Sequence, residues 1–86
     1  MVVYTLRHSR RARTDIQRLD PVVAQQIRNK LRWLCENCDN RPHKALKGEH
    51  KGKFTLKIND YRALYTFDRR TRVLTVHEVG HRSKVY

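Results

Sequence analysis

The chain is poor in cysteine, proline, glycine and acidic side chains, and it has no long apolar run. Its two cysteines, Cys35 and Cys38, lie three apart, too close for a bridge between them to staple a small secreted domain. A reducing, cytoplasmic setting follows as the expectation. No stretch approaches the ~20 apolar residues of a membrane-spanning helix, and the opening Met-Val-Val-Tyr-Thr-Leu-Arg-His lacks the apolar core and small residues of a secretory leader, so a soluble, unprocessed protein is expected. Cys35, Cys38, His43 and His50 fit no familiar zinc-finger spacing, and buried core thiols are the better reading of the pair. Internal repeats, linkers and low-complexity segments are also missing. With 86 residues, the chain has room for one domain, spanning 1–86.

The scarcity of acid is the most informative lack. Eight Asp and Glu face twenty Lys and Arg, a formal charge of +12. Such an excess opposes compaction by self-repulsion and attracts phosphate polyanions or an acidic partner. Residues 1–40 carry eight basic and four acidic groups, residues 41–86 twelve and four. The second half is therefore the candidate working surface, and RNA the first polyanion to consider.

What is present divides into few elements. Residues 2–7 are mostly β-branched or aromatic and predict a short strand. Ser9 can cap a helix whose apolar positions Ala12, Ile16 and Leu19 recur at helical spacing, with Arg10, Arg11, Arg13 and Arg18 around the remainder. Asp20-Pro21 combines a capping side chain with a residue suited to a first helical turn. Ala24, Ile27, Leu31 and Leu34 then predict a second helix from 21 to about 36, antiparallel to the first. Residues 37–52, with Pro42, Gly48 and Gly52, predict an irregular connection. Strands are expected at 53–58, 61–68 and 73–79, separated by hairpin-length gaps. The order βααβββ predicts an α+β fold, an antiparallel sheet with a helical hairpin on one face and the other face open. Alternation leaves the faces of the 61–68 strand unassigned. Trp33 is expected at the core edge.

The candidate site gathers Lys44, Lys47, Lys53, Lys57, Arg62, His81, Arg82 and Tyr86, none of them acidic. Cutting RNA without a metal requires activating a 2′-hydroxyl, stabilising charge on the phosphate oxygens and protonating the leaving 5′-oxygen. Lys and Arg can supply the second need, His or Tyr the first and third. A tyrosine acting as base requires cations to depress its usual pKa of about 10. Lysines on strand edges also serve solubility and discourage edge pairing. The segment Gly80-His81-Arg82-Ser83-Lys84-Val85-Tyr86 has no evident core duty.

Three motifs, taken in order, resemble the RelE/ParE superfamily of bacterial type II toxin-antitoxin toxins. They are Leu46-Lys47-Gly48 with Phe54-Thr55-Leu56-Lys57-Ile58, then Asp60-Tyr61-Arg62-Ala63-Leu64-Tyr65, then Val79-Gly80-His81-Arg82 through Val85-Tyr86. The resemblance spans nearly the whole chain and implies the RelE-like fold. Its RelE-like branch implies a ribosome-dependent mRNA endonuclease that cuts the A-site codon by 2′-hydroxyl attack without a metal or cofactor. Implied partners are a cognate antitoxin, wrapping sheet and helices, and mRNA on the 70S ribosome with contacts to 16S rRNA. Position by position, it implies Lys57 and Arg62 stabilising the phosphate, Arg82 binding it or aiding the leaving group, Tyr86 stacking on a base or assisting proton transfer, and His81 as acid or base. Lys44, Lys47 and Lys53 are the RNA-binding set. Thr55 stands where similar toxins carry a second basic residue, which implies a phosphate stabilisation that is either weaker or shared with Lys53. The ParE-like branch implies inhibition of DNA gyrase instead. A non-enzymatic RNA-binding module is the third reading, and the lack of aromatic platform strands counts against an RRM-like mode.

Overall fold

A computed structural model describes residues 3–84. Strand β1 (Thr5–His8) leads into helix α1 (Arg10–Gln17), which is capped by the Ser9 hydroxyl accepting from the Ala12 amide at 3.1 Å. Helix α2 (Pro21–Asn37) starts where expected, with the Asp20 carboxylate accepting from the Val22 amide at 2.9 Å and Pro21 in the first turn. The connection holds two short 3₁₀ turns, Cys38–Asn40 and Gly48–His50, and a two-residue strand β2 (Lys44–Ala45). Strands β3 (Phe54–Ile58), β4 (Tyr61–Asp68) and β5 (Val73–His81) follow as a meander.

The α+β arrangement is as expected, with a richer sheet. Five strands lie in the order β1-β5-β4-β3-β2. The meander is antiparallel, but β1 pairs parallel with β5, so the sheet is mixed. The register explains the choice: Leu6 opposes Leu74, which brings both apolar side chains to the helix side, and a one-residue slip would turn β1 inside out. The first strand starts at Thr5 and the last runs two residues past the expected Val79.

The core lies between the sheet and the two helices. Ile27, Leu31 and Leu34 of α2, Ala12 and Ile16 of α1, and Leu56, Ala63, Tyr65, Leu74 and Val76 of the sheet are all buried. Full burial of each large aliphatic side chain contributes roughly 1.5–3 kcal/mol. Cys35 and Cys38 sit in this core as free thiols.

β1 covers only residues 73–76 of β5. Beyond them α1 protects the strand edge: the Ser9 hydroxyl donates to the His77 carbonyl at 2.8 Å, and the Val79 amide donates to the Asp15 carboxylate at 3.0 Å. On its other edge β5 meets β4 with a bulge, Leu64 opposing Glu78 and Tyr65 opposing Val76, so His77 is an extra residue.

Candidate functional site

The register settles what alternation could not. Tyr61, Ala63, Tyr65 and Phe67 of β4 face the helices, and Arg62, Leu64 and Thr66 face away. Cross-strand partners share a face, so Lys57, Arg62 and Gly80 form one row of this far face, and Lys44, Thr55, Leu64 and Glu78 the next. Lys53, two residues before Thr55, belongs to the same face. Two cations directly opposed, Lys57 and Arg62, repel each other and favour an anion between them. Gly80 places no side chain opposite Arg62.

Arg62 is oriented by its own turn: Nη1 donates to the carbonyls of Tyr61 at 2.9 Å and Asn59 at 3.2 Å. Asn59 sits at φ +55°, a conformation that asparagine tolerates well, which keeps this hairpin tight. The tail is tied to the same turn, because the Arg82 amide donates to the Asp60 carbonyl at 2.8 Å. Exposed Arg82 thus lies at the end of the sheet that carries Lys57 and Arg62. None of these three cations forms an ion pair with a described carboxylate.

The far face is less open than expected. Leu64 is fully buried, and Thr55 and Glu78 nearly so. The 3₁₀ turn carrying Glu49 and His50 reaches over the sheet, and with Lys53, Glu78, Arg11, Ser83 and Lys84 it lines a polar pocket of about 510 Å³. Arg11 of α1 pairs with Glu78 at 2.7 Å. The bulge puts His77 on this face beside Glu78, where its Nε2 lies 2.8 Å from the Thr66 hydroxyl. Burial, with help from the Lys53 charge, lowers the His77 pKa from its ordinary value.

His81 falls on the other face. It opposes Tyr61, with ring centroids 5.5 Å apart edge to face, and its Nδ1 accepts from the Ser83 amide at 3.2 Å and lies 2.8 Å from the Ser83 hydroxyl. Tyr86 lies outside the described residues. Lys47 is exposed in the approach loop, away from any strand pairing.

His43, one of the connection's basic residues, is structural. It packs against Phe54, Tyr65 and Phe67 with centroids 4.4 to 5.7 Å away. Its Nε2 lies 2.7 Å from the Cys38 carbonyl, which can only accept, so Nε2 carries the proton and Nδ1 accepts from the Tyr65 hydroxyl at 2.5 Å. Burial pushes the Tyr65 phenol up to about 12, consistent with its role as donor. Cys35 is likewise pushed up by burial, to about 11, which makes it a poor nucleophile. Among the described residues no three His, Cys, Asp or Glu side chains are grouped to hold a metal ion.

Sequence reasoning missed His77, Glu78 and Arg11. Their signal was weak, since a bulge leaves no mark in an apolar-polar pattern and Arg11 looked like one of several solvated arginines.

Comparison with known proteins agrees with this fold. A family model described as the ParE toxin of the type II toxin-antitoxin system parDE matches residues 6–86. No curated protein matches. Among solved structures, the toxin-antitoxin complex RelBE2 of Mycobacterium tuberculosis is similar at 29% identity and TM-score 0.85, covering 98% of this chain and 97% of that one. The intact RelBE toxin-antitoxin complex of E. coli is similar at 26% identity and TM-score 0.75, covering 91% and 95%. The archaeal RelE-RelB complex of Pyrococcus horikoshii, at 13% identity and TM-score 0.75 over 98% and 100%, shares the fold.

Proposed function

The chain belongs to the ParE toxin family of type II toxin-antitoxin systems, and from that premise we propose that it is a ribosome-dependent mRNA endonuclease, held inactive by a cognate antitoxin. The single observation that carries the reading is the row of Lys57 and Arg62, with Arg82 tied to the same turn and no described carboxylate paired to any of them. Such a row suits a scissile phosphate. In the reaction the 2′-hydroxyl gives its proton to a general base as its oxygen attacks phosphorus, the 2′-O–P bond forms as the P–O5′ bond breaks, and the departing 5′-oxygen takes a proton from a general acid. Charge grows on the non-bridging oxygens, where Lys57 and Arg62 stabilise it, and fixed donors of this kind are each worth about 10²–10³ in rate. Arg82 holds the phosphate or the leaving oxygen. Tyr86 stacks on a base or moves a proton. His81 is the second acid-base candidate, and to reach a phosphate on the far face its ring would have to turn away from Tyr61. Lys44, Lys47 and Lys53 guide the RNA backbone. The antitoxin is an acidic or amphipathic chain that offsets the formal charge of +12, and the similar RelBE2 and RelBE structures are toxin-antitoxin complexes. No described helix is long and apolar enough to cross a membrane, and the ribosome places the proposed action in the cytoplasm.

The matching family model is that of ParE, which supports a second reading, inhibition of DNA gyrase without nuclease activity. A gyrase inhibitor has no need of a phosphate-handling row, and that favours the nuclease. The test is a purified translation system with a reporter mRNA, the 5′ ends mapped by primer extension. Codon-phased cuts that vanish with Arg82→Ala are expected. Intact mRNA together with blocked DNA supercoiling would replace the nuclease by the gyrase inhibitor.

A further inference from the structure

A second surface lies along the outer edge of β3. β2 pairs only with Phe54 and Thr55, so no described strand accompanies the edge from Leu56 onward. Facing that edge, Gln26, Asn29, Lys30 and Trp33 form one stripe of α2 at helical spacing. With Lys57, Ile58 and Asn59 they line a shallow groove of about 530 Å³, within the size range of small-ligand sites. Trp33 is 38% exposed, among the few large apolar side chains left in solvent. Cations stand over its ring: the Lys30 ammonium is 3.9 Å from the indole centroid and the Arg41 guanidinium 5.1 Å.

We infer that this groove binds a nucleotide of single-stranded RNA: the base takes the place of the cations on the Trp33 ring, Lys30 and Arg41 swing out to join Lys57 on the phosphates, and the amides of Gln26, Asn29 and Asn59 read the base edge. The lining argues for RNA over a protein segment. It holds an aromatic face, amides and cations but no carboxylate, and its one aliphatic residue, Ile58, is 6% exposed, so an apolar peptide finds little to bury. Stacking on an aromatic ring combined with charge along the backbone is how single strands are held without a duplex. Lys57 belongs both to this groove and to the row with Arg62, so a strand crossing the far face continues around the sheet edge onto Trp33. The inference rests on the reading of the protein as one that acts on RNA, and makes the groove a holding subsite for a nucleotide flanking the cut.

The chain's only tryptophan is Trp33, so its intrinsic fluorescence reports on the groove. A 2′-O-methyl oligoribonucleotide, which cannot be cut, is titrated into the protein while tryptophan emission and the anisotropy of a label on the RNA are followed. Saturable quenching is expected, with log affinity falling against log salt at a slope of about −2 for three phosphate contacts and Lys30→Ala removing about 0.7 of it. By anisotropy, Trp33→Ala should bind about tenfold more weakly and Trp33→Phe should retain most of the affinity. Circular dichroism confirms that both variants fold. RNA binding that leaves emission unchanged, or equal affinity in Trp33→Ala, overturns the inference. Equal quenching by polyglutamate overturns it in favour of an acidic protein partner. Quenching by a protein that cuts no mRNA on ribosomes would sink the nuclease and spare the groove, and cutting without quenching would do the reverse.

Discussion

Replacing Tyr65 by phenylalanine tests the claim that His43 is part of the core. Tyr65 is fully buried, and its hydroxyl donates to His43 Nδ1 while the opposite ring nitrogen donates to the Cys38 carbonyl. The substitution preserves the ring and its contacts with Phe54 and Phe67, so little packing is lost. What remains is a histidine nitrogen stripped of its donor in a partly buried site, which costs about 1–3 kcal/mol. For a domain of this size each kcal/mol lowers Tm by about 4–8 °C, so a fall of roughly 8–16 °C is expected for a central cost of about 2 kcal/mol. Urea unfolding followed by circular dichroism, with an unchanged slope, provides the free energy. A second substitution, His43→Leu, in the Tyr65→Phe background removes the stranded acceptor but also the donor to the Cys38 carbonyl, so the double variant should lose clearly less than the sum of the two single variants. A change below about 0.5 kcal/mol in Tyr65→Phe, or additive behaviour, would refute the assignment of His43 to the core.

Other expectations follow from the same geometry. Arg62→Ala should lower the rate of mRNA cleavage about 10²–10³-fold in single-turnover assays while leaving Tm nearly unchanged, since its bonds are to carbonyls of an exposed turn. Asp15→Ala strands the Val79 amide and should cost about 1–2 kcal/mol in urea unfolding, whereas Asp15→Asn retains an acceptor and should cost less. Stability should also depend on pH below neutrality. The His8 and His77 pKa values are lowered by burial, so the unfolded chain binds more protons, and thermal melts should show stability complete above pH 6.5 and declining as pH falls below it. Asp39, held below its ordinary range by the Tyr4 hydroxyl and Arg72, adds a further loss as pH drops below 3.8.

Much of the fold was legible because local chemistry and tertiary packing agree. Ser9 and Asp20-Pro21 announce both helices, and the caps form as the residues require. Phe54, Leu56 and Ile58 alternate with Thr55 and Lys57, a pattern that by itself marks the inner face of β3 and leaves Lys57 outward. Other features depend on contacts far apart in sequence. Nothing in Thr5–His8 says that its neighbour is β5 and parallel to it. His43 reads as polar because its aromatic enclosure is assembled from Phe54, Tyr65 and Phe67, which lie 11 to 24 positions on. For the candidate site, the Lys57-Arg62 pairing follows from hairpin geometry once the turn is recognised. The turning of His81 toward Tyr61 does not, because it depends on one unpaired residue in β5.

That unpaired residue separates position in the chain from position on the sheet. In an uninterrupted strand, Val76 facing the helices would bring Glu78 inward after it and send Val79 out. The bulge at His77 absorbs one step of the alternation, so Val76 and Val79 both stay in the core, and His77, Glu78 and Gly80 share the far face. Deleting His77 would restore a regular ladder and still leave Val79 inside and Gly80 beside Arg62. β5 is therefore a place where the chain can gain or lose a residue on its polar side without renumbering its apolar side, and the chemistry of the far face can be edited there while the core stays as it is.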